Sequence, residues 1–133
     1  RSSDLTQFAD GTVAVTTLES ASARSGGGLL FRCPDADNGY ALYLDNGWDG
    51  NLVLAKLVDG KLTTIKAAFF PYSIFRPIPH LLQVEAYGAH LVCHCDQVKV
   101  FEVDDPTFAA GAVGLFSQTS GPLAFRNLLV SSD

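Results

Sequence analysis

The sequence has few charged residues, three cysteines and no methionine. Charged side chains make up 17% of its 133 residues, whereas hydrophobic side chains make up 47%. A chain of this composition has enough apolar surface to bury a core, which excludes an intrinsically disordered protein. No linker or internal repeat divides the sequence, and its length suits one unit, so we expect a single domain over residues 1–133.

Long apolar runs and clusters of basic residues are also missing. No apolar run approaches the roughly 18 residues that a transmembrane helix needs, so no membrane span is predicted. The net charge is −5, from 9 basic and 14 acidic residues, and the basic ones are scattered. Without a basic stripe, neither nucleic acid nor an anionic membrane is expected as a partner. Because the chain opens at Arg1, we expect a mature product or an excised domain.

The three cysteines do not form an obvious disulfide or metal motif. Cys93 and Cys95 share one face of a predicted strand, where their side chains diverge too far for an easy bridge. His94 points to the opposite face, so this triplet cannot converge on one ion. We interpret the cysteines as buried, reduced core residues, because a thiol packs as a small hydrophobic group. A pairing of Cys33 with one of the others, and the redox compartment, stay open.

The sequence shows no helical pattern of useful length. Apolar residues recur at every second position, and turn signals recur about every eight to twelve residues, which is typical of an all-β sandwich. Predicted strands span residues 12–19, 28–33, 40–45, 51–58, 61–69, 81–87, 90–96, 98–104, 112–118 and 124–131. Gly, Asn and Asp in the intervening turns tolerate positive φ. We therefore predict a two-sheet antiparallel β-sandwich, a jelly roll.

Two neighbouring predicted strands carry polar residues that suit a sugar. If their leucine and phenylalanine side chains fill the core, Arg32, Tyr43 and Asp45 face outward together. Arginine offers a planar fork of donors, aspartate offers two acceptors, and tyrosine offers an apolar face with a polar tip. This combination matches the hydroxyl and C–H groups of a sugar ring. A cross-strand salt bridge on an exposed sheet is the alternative.

Three residues in or beside predicted loops extend this candidate site. Trp48, the only tryptophan, lies in the turn NGWDG and can stack on a sugar, or fold back as a lid. Glu19 ends the first long strand and can reach the groove beside Arg32, or be a solvated strand end. Tyr72 lies in the proline-stiffened connection 70–79, a type of loop that often binds ligands but can also cap the core.

A cofactor is not predicted, but a structural calcium ion stays open. Asp35, Asp37 and Asn38 place oxygen atoms at nearby positions, as calcium sites do. The bidentate glutamate of a calcium-binding loop does not follow, and Asx residues stabilise turns unaided.

Five segments together resemble a known family. They are GGLLFR (27–32), NGYALYLD (38–45), LVDGKLTTI (57–65), HLLQVEAYGAHLVCHCDQVKVFEVDD (80–105), and GAVGLFS with AFRNLLV (within 111–130). From about Phe8 onward the chain resembles concanavalin A-like, laminin-G-like jelly rolls. It is most similar to the fructan-binding carbohydrate-binding module family 66, which is attached to levanases and related fructan hydrolases. Such domains usually begin with an extra strand, for which only residues 1–10 are available here.

The resemblance implies both a site and a function. It implies that the strands carrying Arg32 and Tyr43 line a concave sheet, that Arg32, Tyr43 and Asp45 lie in its groove, and that Trp48 lies at the rim. It also implies a secreted, non-catalytic module that binds a carbohydrate, namely the terminal fructose of a fructan such as levan. Such a module directs an attached glycoside hydrolase to its polymer.

Two other functions stay open. A glycoside hydrolase of this fold places two or three carboxylates at alternate positions of one strand, and no strand here does so. Glu19 and Asp45 can nevertheless face each other across the groove, which keeps the enzyme as an alternative. The third function is a laminin-G-type adhesion domain that binds a protein through a rim loop. No Ser-His-Asp arrangement and no histidine motif with metal-ligand spacing is legible.

Overall fold

The computed structural model describes residues 7–19, 27–45, 51–69, 79–117 and 123–132. These residues form eleven β-strands and contain no helix that could cross a membrane. The strands are β1 (Gln7–Phe8), β2 (Gly11–Glu19), β3 (Gly27–Asp35), β4 (Asn38–Asp45), β5 (Asn51–Val58), β6 (Lys61–Phe69), β7 (Pro79–Tyr87), β8 (His90–Cys95), β9 (Val98–Asp104), β10 (Gly111–Ser117) and β11 (Leu123–Ser132).

The strands pair into two antiparallel sheets. One sheet has six strands in the order β1-β10-β3-β4-β5-β6, and the other has five in the order β11-β2-β7-β8-β9. The predicted all-β sandwich is therefore confirmed, and each predicted strand matches an observed one with ends that differ by two residues at most. The segment before them supplies the short additional strand β1, in which Gln7 pairs with Ala112 of β10.

The main core lies between the two sheets. It contains inward side chains of the six-stranded sheet, such as Tyr40 and Leu42, and of the five-stranded sheet, such as Leu82 and Val84. All four are fully buried. Burial of one leucine side chain contributes about 1.5–3 kcal/mol relative to its exposure, so this layer is the main source of stability. Because side chains alternate along a strand, Tyr43 lies on the outer face of the six-stranded sheet.

The strand directions give the sandwich two distinct ends. At one, the hairpin end, short turns join β3 to β4, β5 to β6 and β7 to β8. At the other, the Asp45 end, β4 stops at Asp45 beside the start of β5 at Asn51. The two-residue turn between β8 and β9 lies at this second end as well. In the five-stranded sheet, β2 stops there at Glu19, opposite Leu123 of β11.

Candidate functional site

Arg32 is an anchor of the hairpin end. Its side chain is fully buried, and Nε donates to the carbonyl oxygen of Ala9 at 2.8 Å. Nη1 donates to the carbonyl oxygens of Gly88 at 2.7 Å and Phe108 at 3.1 Å. Nη2 lies 3.3 Å from the carboxylate of Asp10. One guanidinium thus ties together the turns after β1 and β7 and the connection between β9 and β10.

The expectation that Arg32 faces outward beside Tyr43 is wrong. Arg32 has a φ of 51°, and the pairing of β3 with β4 is irregular between Phe31 and Asp35. A bulge of this kind breaks the strict alternation of side chains on which the expectation depended. Burial lowers the pKa of Arg32 from its ordinary value, and the nearby Tyr40 and Asp10 act in the opposite direction. Arginine stays protonated in proteins, so the buried group is a cation.

Arg32 and Asp45 lie at opposite ends of the sandwich. Phe31 pairs with Tyr40, and Arg32 lies one residue beyond Phe31 toward the hairpin end. Asp45 lies five residues beyond Tyr40 in the other direction. Six residue steps at ~3.3 Å each separate the two Cα atoms by roughly 20 Å. A single sugar ring cannot contact both side chains.

Tyr43 belongs to an apolar patch on the outer face of the six-stranded sheet. We call this the outer patch; its members are Leu30, Ala41, Tyr43, Val53, Ala55 and Leu62. Tyr43 pairs across the strands with Gly28 and Val53, and its side chain is only 4% exposed. A Cβ atom added to Gly28 would overlap the carbonyl oxygen of Leu42, so glycine is required there. The Tyr43 ring is a packed part of this patch and offers little open surface.

Glu19 and Asp45 end strands at the same end of the sandwich. The backbone of Asp45 pairs with Asn51, and the backbone of Glu19 pairs with Leu123. The placement of these two side chains lies outside the part of the chain that the structure describes.

Trp48 and Tyr72 both lie outside the described residues. The strand ends that flank them in sequence are described. Residues 45 and 51 are paired neighbours, and residue 51 is in turn paired with residue 69, where β6 stops. The strand ends that precede Trp48 and Tyr72 in sequence, residues 45 and 69, therefore both lie next to residue 51 at the Asp45 end.

A buried hydrogen-bond network that the sequence did not reveal closes the hairpin end. The Tyr40 hydroxyl lies 2.6 Å from Asp105 Oδ1, and Lys56 Nζ lies 3.5 Å from Asp105 Oδ2. Burial raises the pKa of Tyr40 to about 12, helped by its hydrogen bond to Asp105. Burial acts to raise the pKa of Asp105, but the hydrogen bonds from Thr107 and Tyr40 outweigh it and lower this pKa. Residues 65 positions apart form this contact, so no local pattern could predict it.

The acidic turn between β3 and β4 uses its side chains to stabilise the turn. Asp35 Oδ1 accepts hydrogen bonds from Asp37 N at 2.8 Å and from Asn38 Nδ2 at 2.9 Å. These bonds lower the pKa of Asp35. Asn38 Oδ1 accepts a hydrogen bond from Asp59 N at 3.0 Å, which links this turn to the turn after β5. The sequence left calcium binding and turn stabilisation as alternatives for these side chains. Their hydrogen bonds show that they stabilise the turn.

Cys93 and Cys95 are fully buried in the core, as expected. Cys33 is half-buried, and these three cysteines, all within the described residues, form no disulfide. Burial raises the pKa of Cys33 to about 11 and that of Cys93 to about 12, so neither thiol is a ready nucleophile. His94 lies on the outer face, where Nε2 is 2.8 Å from a carboxylate oxygen of Glu85.

A shallow cleft of about 290 Å³ lies at the hairpin end. It is lined by Asp10, Gly88, Ala89, Pro106, Phe108 and Ala109. Asp10 Oδ1 already accepts hydrogen bonds from Gly88 N and Arg32 Nη2. The cleft therefore lies over the hydrogen bonds of Arg32, and the carboxylate of Asp10 that lines it already takes part in them.

Comparison with solved structures identifies the fold. The carbohydrate-binding module CBM66 from Bacillus subtilis superposes with a TM-score of 0.84 at 25% sequence identity, covering 96% of this chain and 78% of that one. A galectin of Caenorhabditis elegans gives a TM-score of 0.67 at 13% identity, covering 98% and 92% of the two chains. A homodimeric agglutinin from chicken liver gives 0.65 at 13% identity, covering 91% and 95%. No protein-family model and no curated protein matches the sequence.

The CBM66 match covers nearly the whole chain, as does the resemblance found in the sequence. The matches to the galectin and to the agglutinin, both at 13% identity, show the shared fold alone. The strands that carry Arg32 and Tyr43, β3 and β4, lie in one sheet, as that resemblance implied. The chain is a lectin-like jelly-roll domain with the fold of carbohydrate-binding module CBM66, and the resemblance to that family is confirmed by the structure.

Proposed function

We propose that this chain is a non-catalytic carbohydrate-binding module that recognises a terminal sugar unit, with the fructose of a fructan such as levan as its first candidate. The observation that supports a sugar-binding domain is the match to a carbohydrate-binding module over 96% of the chain at a TM-score of 0.84. The choice of fructan rests on the sequence resemblance. A secreted protein with an attached glycoside hydrolase is the setting that this function requires.

The proposed site is the Asp45 end of the sandwich, where strands of both sheets stop. Glu19 and Asp45 end their strands there, and their carboxylates can accept hydrogen bonds from sugar hydroxyls. Trp48 and Tyr72 are the proposed stacking residues, because aromatic faces pack against the C–H groups of sugars. Tyr43, two residues from Asp45 on the same strand face, forms the floor beneath this end. Arg32 supports the site only through the fold.

A site for one sugar ring binds weakly. Dissociation constants on the order of micromolar to millimolar correspond to roughly 4–8 kcal/mol. Linkage to a second binding or catalytic unit on the same polymer raises the effective affinity without new contacts. Recognition of a chain end and attachment to a hydrolase therefore fit together, because the attached unit raises the effective affinity of a weak site.

Isothermal titration with levan, inulin, free fructose and a β-glucan tests this proposal. We expect heat with a fructan or fructose, and at least tenfold weaker binding by Trp48→Ala and by Asp45→Asn. Asp59→Asn is the matched control, because it neutralises an exposed carboxylate of the hairpin end, in the turn between β5 and β6. The absence of heat with every glycan, or equal loss of binding in the control, contradicts the proposal.

A glycoside hydrolase is the second candidate, because Glu19 and Asp45 end strands at the same end of the sandwich. Glycoside hydrolases generally use two carboxylates separated by ~5–9 Å, one as the acid and the other as the nucleophile or base. Incubation with the bound glycan and measurement of released reducing sugar separates the two functions. Turnover that is lost in Glu19→Gln favours the enzyme, whereas binding without turnover favours the module.

A further inference from the structure

Three metal-ligating side chains come together on the five-stranded sheet. They are His80, Cys95 and Asp96, and one donor atom of each lies within 4.8 Å of the other two. His80 is 2% exposed and Cys95 is fully buried, while the Asp96 side chain is 30% exposed. Within the ranges that the structure describes, no other group of three histidine, cysteine or acidic side chains has this spacing.

Strand pairing assembles this cluster from distant parts of the sequence. Leu82 of β7 pairs with Cys95 of β8, and His80 lies two residues before Leu82 on the same face. His80 therefore lies beside Cys95 although 15 positions separate them in sequence. The other inward side chains of β7 and β8, such as Leu82, Val84 and Cys93, belong to the hydrophobic core. The imidazole of His80 differs from them because it is a buried polar group.

The carboxylate of Asp96 is held toward the histidine. Asp96 and Gln97 form the turn between β8 and β9 with φ values of 53° and 69°, a geometry for which Asn-Gly is the usual choice. Asp96 Oδ1 accepts a hydrogen bond from Leu81 N at 2.8 Å, and Oδ2 accepts one from His80 Nδ1 at 2.8 Å. The partly exposed carboxylate thus gives the cluster a path from solvent.

The donor set selects the kind of ion. Imidazole nitrogen, thiolate sulfur and carboxylate oxygen together suit zinc and similar transition metals, whereas calcium and magnesium take oxygen ligands. Zinc–ligand bonds of ~2.0–2.3 Å place the donor atoms of a tetrahedral site roughly 3.3–3.8 Å apart. The donor atoms of His80, Cys95 and Asp96 lie within 4.8 Å of one another, so side-chain shifts of about 1 Å or less bring them to that separation. Three protein ligands leave a fourth coordination position for water or another donor.

We propose that His80, Cys95 and Asp96 form a binding site for a zinc-like divalent transition-metal ion. Binding takes the place of the hydrogen bond between His80 and Asp96, the imidazole keeps its single proton on the ring nitrogen that does not bind the ion, and the thiol proton of Cys95 is released to solvent. The ion links the start of β7 to the turn between β8 and β9 at the Asp45 end, and it stabilises the folded chain by mass action. This site is independent of sugar recognition, so its test does not depend on a glycan.

Cobalt(II) titration of the whole chain tests the site, because a cobalt–thiolate bond gives a charge-transfer absorption band. We expect the band in the wild-type protein, its removal by competing zinc, and its loss in Cys95→Ala. Cys93→Ala is the matched control, since Cys93 is equally buried on the same strand but lies outside the cluster. The absence of a band in the wild type, or an unchanged band in Cys95→Ala, overturns the proposal.

Asp96→Asn provides a variant that keeps the turn, because asparagine tolerates positive φ and can accept the Leu81 hydrogen bond. We expect its zinc affinity, measured by isothermal titration, to fall at least tenfold. Asp104→Asn is the control for adventitious surface binding, since Asp104 is exposed beside His90 on the same sheet. Equal zinc affinity in Asp96→Asn and the wild type, or a larger loss in Asp104→Asn, overturns the site even if Cys95→Ala does not fold.

Discussion

Replacement of Arg32 by methionine tests the anchor at the hairpin end. The change keeps much of the side-chain volume but leaves the carbonyl oxygens of Ala9, Gly88 and Phe108 without their donor. A hydrogen bond to a charged group contributes about 1.5–3 kcal/mol, and such contributions do not add fully within one network. Each acceptor left without a donor in a buried network costs about 1–3 kcal/mol, so we expect a combined loss of about 3–5 kcal/mol from the three carbonyl oxygens.

Urea unfolding of the wild type and Arg32→Met measures this loss directly. A change of 1 kcal/mol shifts the melting temperature of a domain of this size by about 3–6 °C, so thermal unfolding should show a decrease of roughly 10–30 °C. Lys66→Met, which removes an exposed cation from β6, is the control and should change stability by about 0.5 kcal/mol or less. A loss below about 1 kcal/mol in Arg32→Met refutes the anchoring role.

Arg32→Lys separates anchoring from sugar contact. A lysine ammonium is a single point charge and cannot reproduce the planar fork that reaches Ala9, Gly88, Phe108 and Asp10. We expect reduced stability with unchanged affinity for the glycan, measured at a temperature where the variant is folded. Unchanged stability with lost affinity would return Arg32 to the sugar site.

Three other substitutions, one of them with a control variant, test further parts of the structure. Tyr40→Phe removes the hydroxyl that bonds Asp105 and should lower the free energy of unfolding by about 1–2 kcal/mol in urea, whereas no change contradicts the network. Hydrogen bonds to two carboxylates raise the pKa of His90, so its stabilising contribution is present at low pH and is lost as pH rises through that pKa. The urea midpoint of His90→Gln should therefore decrease less than that of the wild type between about pH 5 and pH 8. Gly28→Ala should lower stability by about 1–3 kcal/mol or prevent folding, because its Cβ overlaps backbone, while Gly114→Ala should be tolerated because the nearest atom lies 4.0 Å away.

The strands were predictable because their signals are local. Alternation of apolar residues and turn residues such as Gly60, next to Asp59 at positive φ, together fix where a strand starts and stops. The same alternation assigned Tyr43 to the outer face correctly. It could not show that the outer patch is closely packed, since burial depends on neighbouring strands.

Arg32 was misplaced because one irregularity in β3 reverses the direction of a side chain. A positive φ is usually marked by glycine in a sequence, but here the residue with positive φ is Arg32 itself. The bulge arises from the pairing of β3 with β4, which the sequence does not show. The cluster of His80, Cys95 and Asp96 was missed for a related reason. Its members meet through the register of β7 and β8, which no spacing along the chain reveals.

The proposed function depends on sugar binding at the Asp45 end. Nuclear magnetic resonance titration of the isotopically labelled chain with fructose and with short fructans tests it most directly. We expect the perturbed amides to cluster at Tyr43, Asp45 and Asn51, while those of Gly88 and Phe108 at the hairpin end stay unchanged. Perturbation centred on Gly88 and Phe108, or no perturbation by any glycan, would contradict it.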